Sequence, residues 1–540
     1  MPENRSPRAR SFQLLKSPFS AIFLVLLLFG MSWAQTTPSQ PQSNPPAQSS
    51  SQAAAPSQPA APQVPAQPPN PSGTTQVPGA GSAVQNRQQG STPPAAEKPE
   101  SQTRITKAQA KELFRSVDEI LDFASHDTGL PIQHKVKRNL ITRESVERYV
   151  DKRMKDDKDA QRLEQSRLVL EKFGLLPPGY DLHSEFLRLL GEQVAAYYDA
   201  KAKSVNLLDW VQPDIQKPVL AHELTHALQD QKINLEKWEL AGAKDAGPQP
   251  DPQEQVVEEA QAARQCVTEG QAMVVLVDYT LAPIGKDILS APEIVDVMRA
   301  SMADNKDSPV FAAAPMFLRE SLLMPYTFGL EFVRAVLAAK GKNAAYPGML
   351  ENPPIDTRQI MQPETYLRKQ NVPPLVIPDL DKLVAPDYER FDFGGMGEFD
   401  IYLLAKQYGG APPNYYPHWR GGYYFAARAK SAPKDQIAML YFSRWDSPEA
   451  AQDFAKLYAD YLPKRYKKAV LQQPVSASGA NATGAQPAIT FETNEGKVTL
   501  EMQGNDLLIL EGYGDTVAEK ARAELLHGMS LPQPAGKSSK

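Results

Sequence analysis

The stretch VLAHELTHALQDQ, residues 219–231, decides both the fold of its region and the chemistry that we expect there. Its apolar residues recur three and four positions apart, which predicts an α-helix over about residues 214–231. Residues four apart lie above one another on the same helix face, so His222 and His226 direct their imidazoles at a common point. The stretch therefore predicts a pair of nitrogen ligands for a metal ion.

Glu223 follows the first of these histidines and completes the pattern His-Glu-x-x-His. A carboxylate at that position reaches a water on the metal without binding the metal itself, so we predict that Glu223 is a general base. Zinc lowers the pKa of a bound water towards ~7 and polarises a substrate carbonyl, which suits peptide-bond hydrolysis. The motif therefore predicts a Zn2+-dependent hydrolase.

A catalytic zinc needs a third protein ligand beside two histidines, with one position left open. No histidine lies a few residues beyond His226, so we expect an acid from the long helix predicted over about residues 253–281. We predict Glu269, because an apolar run follows it at once and a buried carboxylate is costly unless it is paired or metal-bound. The alternatives on the same helix, which follow a polar loop and are expected to face solvent, are Glu254, Glu258 and Glu259.

Other residues around these two helices carry further expectations. Gly270 and Ala272 are small, so we expect the long helix to approach the motif helix closely at this point. Asp230 lies one turn beyond the second histidine and is a candidate to orient a ligand histidine, with a solvated surface position as the alternative. The single cysteine, Cys266, is interpreted as a packed side chain rather than a nucleophile.

The N-terminus has the composition of an export signal. Basic residues precede the uncharged run PFSAIFLVLLLFGM (residues 18–31), and Ser-Trp-Ala follows, which predicts a secretory signal peptide over residues 1–34. The apolar run is shorter than the ~20 residues that span a bilayer, so we expect cleavage and membrane contact only through an uncleaved signal. An exported chain with one cysteine indicates a bacterial envelope protein, periplasmic or extracellular.

Residues 35–103 are rich in Pro, Gln, Ser and Ala, and this composition predicts a disordered, extended linker. We expect residues 532–540 to be a disordered tail as well. The formal net charge of −5 comes without a basic stripe, which argues against a nucleic-acid partner.

The folded body is predicted to be α+β, in two parts. Residues 104–410 are expected to be mainly helical, with further helices to about residue 408 and a β-hairpin formed by YYD and SVNLL. Residues 411–531 alternate strand and helix patterns, which predicts a separate small α+β domain with a flexible loop at residues 472–487. The strand candidates of this domain are GGYYFAARA, IAMLYFSRW, AITFETN, KVTLEMQ and DLLILEGYG.

The string HELTHA with a downstream Glu resembles the gluzincins, the thermolysin-like zinc metallopeptidases. Two features depart from thermolysin-type enzymes: the 43 residues from His226 to Glu269 are a longer gap, and the Asn-Glu-x-x-x-Asp form is missing. A closer resemblance, over about residues 104–410, is to bacterial exported proteins with a YYD-type hairpin, a HEL-x-HALQDQ helix and an EG-x-A segment. This resemblance implies a zincin-like core with His222, His226 and Glu269 as zinc ligands and Glu223 as base.

The resemblance also implies that the strand before the motif helix binds extended substrate by strand addition. A tyrosine often steadies the oxyanion in such enzymes, and the candidates are Tyr197, Tyr198 and Tyr326. We therefore expect an exported zinc metallopeptidase acting on a protein or peptide substrate. The alternatives are a non-catalytic envelope binding or scaffold protein with a peptidase-like fold and, if the signal is not cleaved, an anchored sheddase or cell-wall amidase.

Overall fold

A computed structural model gives the architecture of most of the chain after the linker. The described residues are 104–146, 148, 167–182, 184–185, 188–189, 196–239, 241, 252–303, 308–431, 433, 436–472 and 488–527. The predicted signal peptide, linker and tail lie outside them, as does the loop predicted at 472–487 from its second residue onward.

The helices are numbered in chain order along the described residues. They are α1 (Lys107–Thr128), α2 (Pro213–Ile233), α3 (Leu235–Glu239), α4 (Pro252–Leu281), α5 (Ile294–Ala303), α6 (Pro309–Ala313), α7 (Met316–Lys340), α8 (Met349–Glu351), α9 (Thr357–Met361), α10 (Pro363–Leu367), α11 (Leu380–Val384), α12 (Glu398–Tyr408), α13 (Pro448–Arg465) and α14 (Asp515–Arg522). Short helical turns occupy Ala282–Ile284, Ala344–Gly348, Pro412–Asn414, Tyr416–His418 and Ala523–His527.

The strands form two sheets within the described residues. They are β1 (Lys137–Ile141), β2 (Ala196–Asp199), β3 (Ser204–Leu208), β4 (Tyr388–Gly395), β5 (Trp419–Ala429), β6 (Ala438–Trp445), β7 (Ala469–Leu471), β8 (Ile489–Thr493), β9 (Gly496–Gln503) and β10 (Asp506–Glu511). The smaller sheet has the order β1-β3-β2 and the larger one the order β4-β5-β6-β10-β9-β8-β7.

The smaller sheet contains the predicted hairpin. β2 pairs with β3 in antiparallel register across a tight turn, which confirms that prediction. β1 lies parallel to β3 on its other side and was not predicted, because its five residues are half-exposed and lack a clear apolar alternation. β2 is consequently an edge strand of this sheet as far as the structure describes it.

Helices α2 and α4 are central rather than amphipathic. Pro213 begins α2 at a position where no backbone donor is needed, and Asn234 ends it in the left-handed conformation. Every residue from 219 to 230 is buried, so α2 has neighbours on all sides. Residues 265–278 of α4 are buried in the same way. The predicted bounds of both helices are confirmed to within two residues.

Helices α4 and α7 touch through their backbones at a pair of glycines. A Cβ on Gly270 would lie 2.2 Å from the Gly329 carbonyl oxygen, and a Cβ on Gly329 would lie 2.4 Å from the Cys266 carbonyl oxygen. The expected close approach of α4 to the motif helix is confirmed by the contacts of Glu269 with His222 and of the Thr268 carbonyl with Gln229. The part expected of Gly270 in that approach was wrong, because Gly270 faces α7. Cys266 itself is a buried, packed side chain, as interpreted. By length and hydropathy α7 would pass for a membrane span, but most of that window is buried in the protein.

The seven-stranded sheet is antiparallel throughout, and its central strands β5, β6 and β10 are buried on both faces. Along β5, Tyr423 and Phe425 belong to the apolar cluster that includes α11 and α14, whereas Tyr424 and Ala426 belong to the main core. The strands predicted after Gly421 are confirmed. Helices do follow to Tyr408 as predicted, but β4 lies among them and was not predicted, and neither was the three-residue β7.

One hydrophobic core runs from α1 through α2 and α4 to one face of the large sheet. β4, which precedes the predicted domain boundary at residue 410, is the first strand of that sheet, and all the described residues belong to one compact unit. The mixed helix-and-sheet class is thus confirmed. The zincin-like core and the separate C-terminal domain stay predictions.

Candidate metal centre

Three predicted ligands meet where α2 faces α4. Nε2 of His222 lies 3.1 Å from Oε2 of Glu269 and 3.1 Å from Nε2 of His226, and His226 Nε2 lies 3.3 Å from the same Glu269 oxygen. Within the part of the chain that the structure describes, this is the one group of three or more His, Cys, Asp or Glu side chains whose ligand atoms all lie within 4.8 Å of one another.

The dimensions of this triangle fit a tetrahedral metal ion. Ligands at ~2.0–2.2 Å from a tetrahedral zinc lie about 3.3–3.6 Å apart, close to the 3.1–3.3 Å sides observed here. Two imidazole nitrogens and one carboxylate oxygen are also the donor set of many catalytic zinc sites. The three side chains would thus fill one face of a tetrahedron and leave its fourth corner for water or substrate.

The electrostatics of the cluster show how a cation would enter it. Burial lowers the pKa of His222 to about 4. Burial also opposes the charge on His226, but the Glu269 carboxylate outweighs it and raises the pKa of His226 to about 9. Burial likewise opposes ionisation of Glu269, yet charged His226 and the two histidine hydrogen bonds lower the pKa of Glu269 to about 2. A metal ion would therefore replace the one proton that His226 shares with Glu269.

Glu223 lies beside the ligands, and of its two carboxylate oxygens one is hydrogen-bonded and the other is not, among the described residues. Its Oε2 accepts a hydrogen bond from the Tyr198 backbone N–H at 2.7 Å. Its Oε1 is buried and has no hydrogen-bond partner among the described residues. Burial raises the pKa of Glu223 to about 8, against the effects of His226 and the Tyr198 N–H. A buried carboxylate oxygen without a donor is costly, so Oε1 is suited to receive the proton of a water molecule.

The residue that orients His226 is Gln229, not Asp230. Nδ1 of His226 lies 2.9 Å from Oε1 of Gln229. Asp230 instead accepts hydrogen bonds from the Tyr198 hydroxyl at 2.8 Å and from the Lys203 ammonium at 2.6 Å. The expectation that Asp230 orients a ligand histidine was wrong, because this carboxylate fastens the β2–β3 hairpin to the end of α2. Gln229 was missed, although it lies in the run of residues that is buried on every side of α2.

The alternative third ligands are bonded elsewhere. Oε2 of Glu258 accepts from the Gly395 N–H at 2.9 Å, and Oε2 of Glu259 accepts from the Thr357 N–H at 2.9 Å and from its hydroxyl at 2.6 Å. Both side chains are buried, so the expectation that they face solvent was wrong. They tie α4 to β4 and α9. The side chain of Glu254 lies outside the described residues.

Of the three tyrosine candidates, Tyr326 on α7 has its side chain at the ligands. Its ring centroid lies 6.3 Å from that of His222. Burial first, then the charges of Glu269 and Glu223 and a hydrogen bond to Glu269, raise the pKa of Tyr326 well above its ordinary value. Tyr198 contributes its backbone to Glu223 and its hydroxyl to Asp230, as described above. Tyr326 is therefore the candidate that touches the metal centre through its hydroxyl.

Comparison of the chain with protein-family models, curated proteins and solved structures found no match.

Proposed function

We propose that this chain is an exported zinc-dependent metallopeptidase that hydrolyses peptide bonds in protein or peptide substrates. The observation that carries the proposal is the convergence of His222, His226 and Glu269 within 3.1–3.3 Å. Glu223 beside them keeps one carboxylate oxygen without a partner among the described residues. Two nitrogens, one carboxylate and an adjacent base are the parts that metal-assisted amide hydrolysis requires.

His222, His226 and Glu269 are the residues that would hold Zn2+. When bound, the ion would acidify a water molecule and polarise the substrate carbonyl. The charges support a divalent cation, because Glu269 is already ionised and a bound cation would favour the ionised form of Glu223, so that the two carboxylates would balance its charge. A buried centre without net charge avoids most of the desolvation cost of an isolated ion.

Glu223 acts as general base and then as general acid. Tyr198 anchors Oε2, so Oε1 is free to take a proton from the attacking water and deliver it to the leaving nitrogen. The water oxygen bonds to the carbonyl carbon, the C–N bond breaks, and the products are a carboxylate and an amine. Tyr326 steadies Glu269 from α7 through its hydroxyl.

The edge strand β2 is the place where we propose that substrate lies. β2 pairs with β3 on one side, and Tyr198 in this strand is fastened to the base Glu223. An extended peptide added to the edge of β2 would therefore run past the metal ligands. The export of the chain to the bacterial envelope stays part of the proposal and rests on the sequence of residues 1–34.

A second candidate is a non-catalytic envelope protein that keeps the metal centre for binding or scaffolding. The observation that favours it is burial: the three ligand residues and Glu223 are at most 3% exposed. A substrate reaches such a centre only if the surrounding elements move. Zinc binding without hydrolysis distinguishes this candidate from the peptidase.

The direct test is an assay with an unfolded protein substrate. We expect the zinc-loaded chain to hydrolyse it, a chelator to stop the reaction and added Zn2+ to restore it. Glu223→Gln should bind zinc normally but lose activity by about 10²–10⁴-fold, the range for a general base. Glu236→Gln, at a half-exposed acid on α3, is the control and should retain activity. Equal activity of Glu223→Gln and wild type would refute the assigned base, and a zinc-loaded but inert wild type would favour the second candidate.

A further inference from the structure

Two glutamine side chains lie behind the metal centre, and both are fully buried. The outer one, Gln271 on α4, directs its amide nitrogen at the carbonyl oxygens of Ala345 and Tyr346, at 2.7 and 3.1 Å. Backbone carbonyls only accept hydrogen bonds, so the group that faces them must be the NH2 of Gln271. Its Oε1 is therefore fixed on the opposite side, toward Gln229.

The inner glutamine, Gln229 on α2, is oriented by this neighbour. Its Nε2 donates to Oε1 of Gln271 at 2.9 Å and to the Thr268 carbonyl oxygen at 2.9 Å, which uses both of its N–H groups. Its Oε1 must then face His226, at 2.9 Å from Nδ1. Since an amide oxygen only accepts, Nδ1 of His226 must carry a proton.

We infer that Gln229 and Gln271 are positioning residues, an amide relay that keeps the proton of His226 on Nδ1 and leaves Nε2 as the metal-binding nitrogen. The inference rests on the proposed zinc site. A histidine ligand needs such a partner because the nitrogen that is not metal-bound must be protonated and held in one orientation. The relay also sets the distance between ligands, because Thr268, which accepts from Gln229, directly precedes Glu269 in α4.

The neutral amide suits the charge of this centre. Zn2+, Glu269 and Glu223 would already sum to zero charge within a buried cluster. A carboxylate in place of Gln229 would add a net negative charge at low dielectric and would direct an oxygen at the Thr268 carbonyl and at Oε1 of Gln271. An amide offers the acceptor that His226 needs and the donors that its other two neighbours need.

The test compares zinc affinity across glutamine variants, measured by competition with a chelating dye. Gln229→Met keeps the side-chain bulk but removes the acceptor, and we expect zinc affinity to fall by about 10–100-fold, the range for partners of ligand histidines. Gln271→Met should cause a smaller loss in the same direction. Gln216→Met is the matched control on α2, because Gln216 is equally buried and, among the described residues, its amide bonds only the backbone of residues 208 and 211. It should leave zinc affinity unchanged.

A second readout does not depend on metal affinity. Long-range 1H–15N spectra of the imidazoles should show His226 protonated at Nδ1 in the metal-free and in the zinc-loaded protein, with slow exchange of that proton. The exchange should become fast in Gln229→Met and stay slow in Gln216→Met. A purely structural role for Gln229 would not move this signal in a variant that remains folded.

The outcomes separate the relay from the proposed function. If the wild type binds no zinc, the proposed function fails, while a protected Nδ1 proton on His226 still supports the relay. If Gln229→Met binds zinc as tightly as the wild type and the proton exchange is unchanged, the relay is overturned and the zinc site stands. A deprotonated Nδ1 in the zinc-loaded wild type also overturns the relay.

Discussion

At the scale of single residues, the centre depends most on Glu269, which reaches the two motif histidines from another helix. Its position was predictable because a carboxylate followed at once by an apolar run must find a partner when it is buried. Glu258 and Glu259 on the same helix are buried too, but they find backbone and hydroxyl donors elsewhere. Burial alone therefore does not identify a ligand, and the apolar run that directly follows Glu269 is the feature that distinguished it in the sequence.

The role of Glu269 predicts how zinc stabilises the protein. Zn2+ at 100 times its Kd should stabilise the wild type by about 2.7 kcal/mol and raise Tm accordingly. Glu269→Gln should lose most of this increase, because an amide is a poor replacement for an anionic ligand. Glu259→Gln is the control on the same helix and should keep it. Equal zinc-dependent shifts in wild type and Glu269→Gln, measured by thermal unfolding, would contradict the assignment.

The choice between Asp230 and Gln229 shows the limit of sequence reasoning at this scale. A carboxylate one turn beyond a ligand histidine is a usual partner for its second nitrogen. Asp230 instead accepts hydrogen bonds from Lys203 and the Tyr198 hydroxyl, and both donors lie on the β2–β3 hairpin. Their approach to Asp230 is a tertiary contact that helical spacing does not reveal.

At the scale of elements, the contact of α4 with α7 positions the far side of the centre. Gly270 and Gly329 bring the two backbones together, and Glu269 and Tyr326 lie directly beside this contact, one on each helix. The small size of Gly270 predicted a close helix contact at this point. It did not predict that α7 is the helix in contact, because any helix with a small residue at the right position could pack against Gly270.

Adding a methyl group at this contact should destabilise the protein. In Gly329→Ala the new Cβ would meet the Cys266 carbonyl oxygen at 2.4 Å, which forces the helices apart. We expect a loss of about 1–3 kcal/mol or more in the free energy of unfolding, measured by urea denaturation. Gly514→Ala is the control, because its Cβ meets only an ordinary contact at 3.9 Å. An equally stable Gly329→Ala would show that the helices are not in backbone contact.

The strands that were not predicted share a physical cause. β4 and β7 are the two outer strands of the large sheet, and β1 is an outer strand of the small one. Such strands pair on one side only, and the residues of β1 and β7 stay partly or fully exposed, so their local apolar pattern is weak. The central strands β5, β6 and β10 carry long apolar runs that predicted them directly.

At the scale of the whole molecule, one buried acid should give stability a distinct pH dependence. Asp392 in β4 accepts a hydrogen bond from the Tyr424 hydroxyl at 3.0 Å and is almost fully buried. Burial raises the pKa of Asp392 to about 7, although the hydrogen bonds from the Tyr424 hydroxyl and the Phe393 N–H act to lower it. The folded state thus holds a proton that the unfolded chain releases near pH ~3.9, so this group lowers stability as pH rises from about 4 through 7.

Asp392→Asn should remove that dependence. The amide keeps an acceptor for the Phe393 N–H but carries no charge, so the variant should gain stability relative to the wild type on going from pH 5 to pH 8. Urea denaturation midpoints at the two pH values measure the difference. A wild type and variant whose midpoints change in parallel would show that Asp392 does not hold a proton in the folded protein.

Composition also predicted a signal peptide and a linker, and both stay predictions because they lie outside the described residues. The domain boundary near residue 410 stays a prediction, because a change from helix to strand patterns does not show whether two parts share a core. Residues on both sides of position 410 do belong to the same apolar cluster. The centre between α2 and α4 is buried within that cluster.

X-ray absorption at the zinc edge of the loaded protein tests the central claim most directly. We expect four nitrogen or oxygen neighbours at about 2.0–2.2 Å, with the multiple scattering of two imidazoles and one position taken by water. The imidazole signal should disappear in a His222→Ala, His226→Ala double variant. A sulfur neighbour at about 2.3 Å, or a zinc shell without imidazole, would place the ion elsewhere and contradict the assignment of His222, His226 and Glu269 as its ligands.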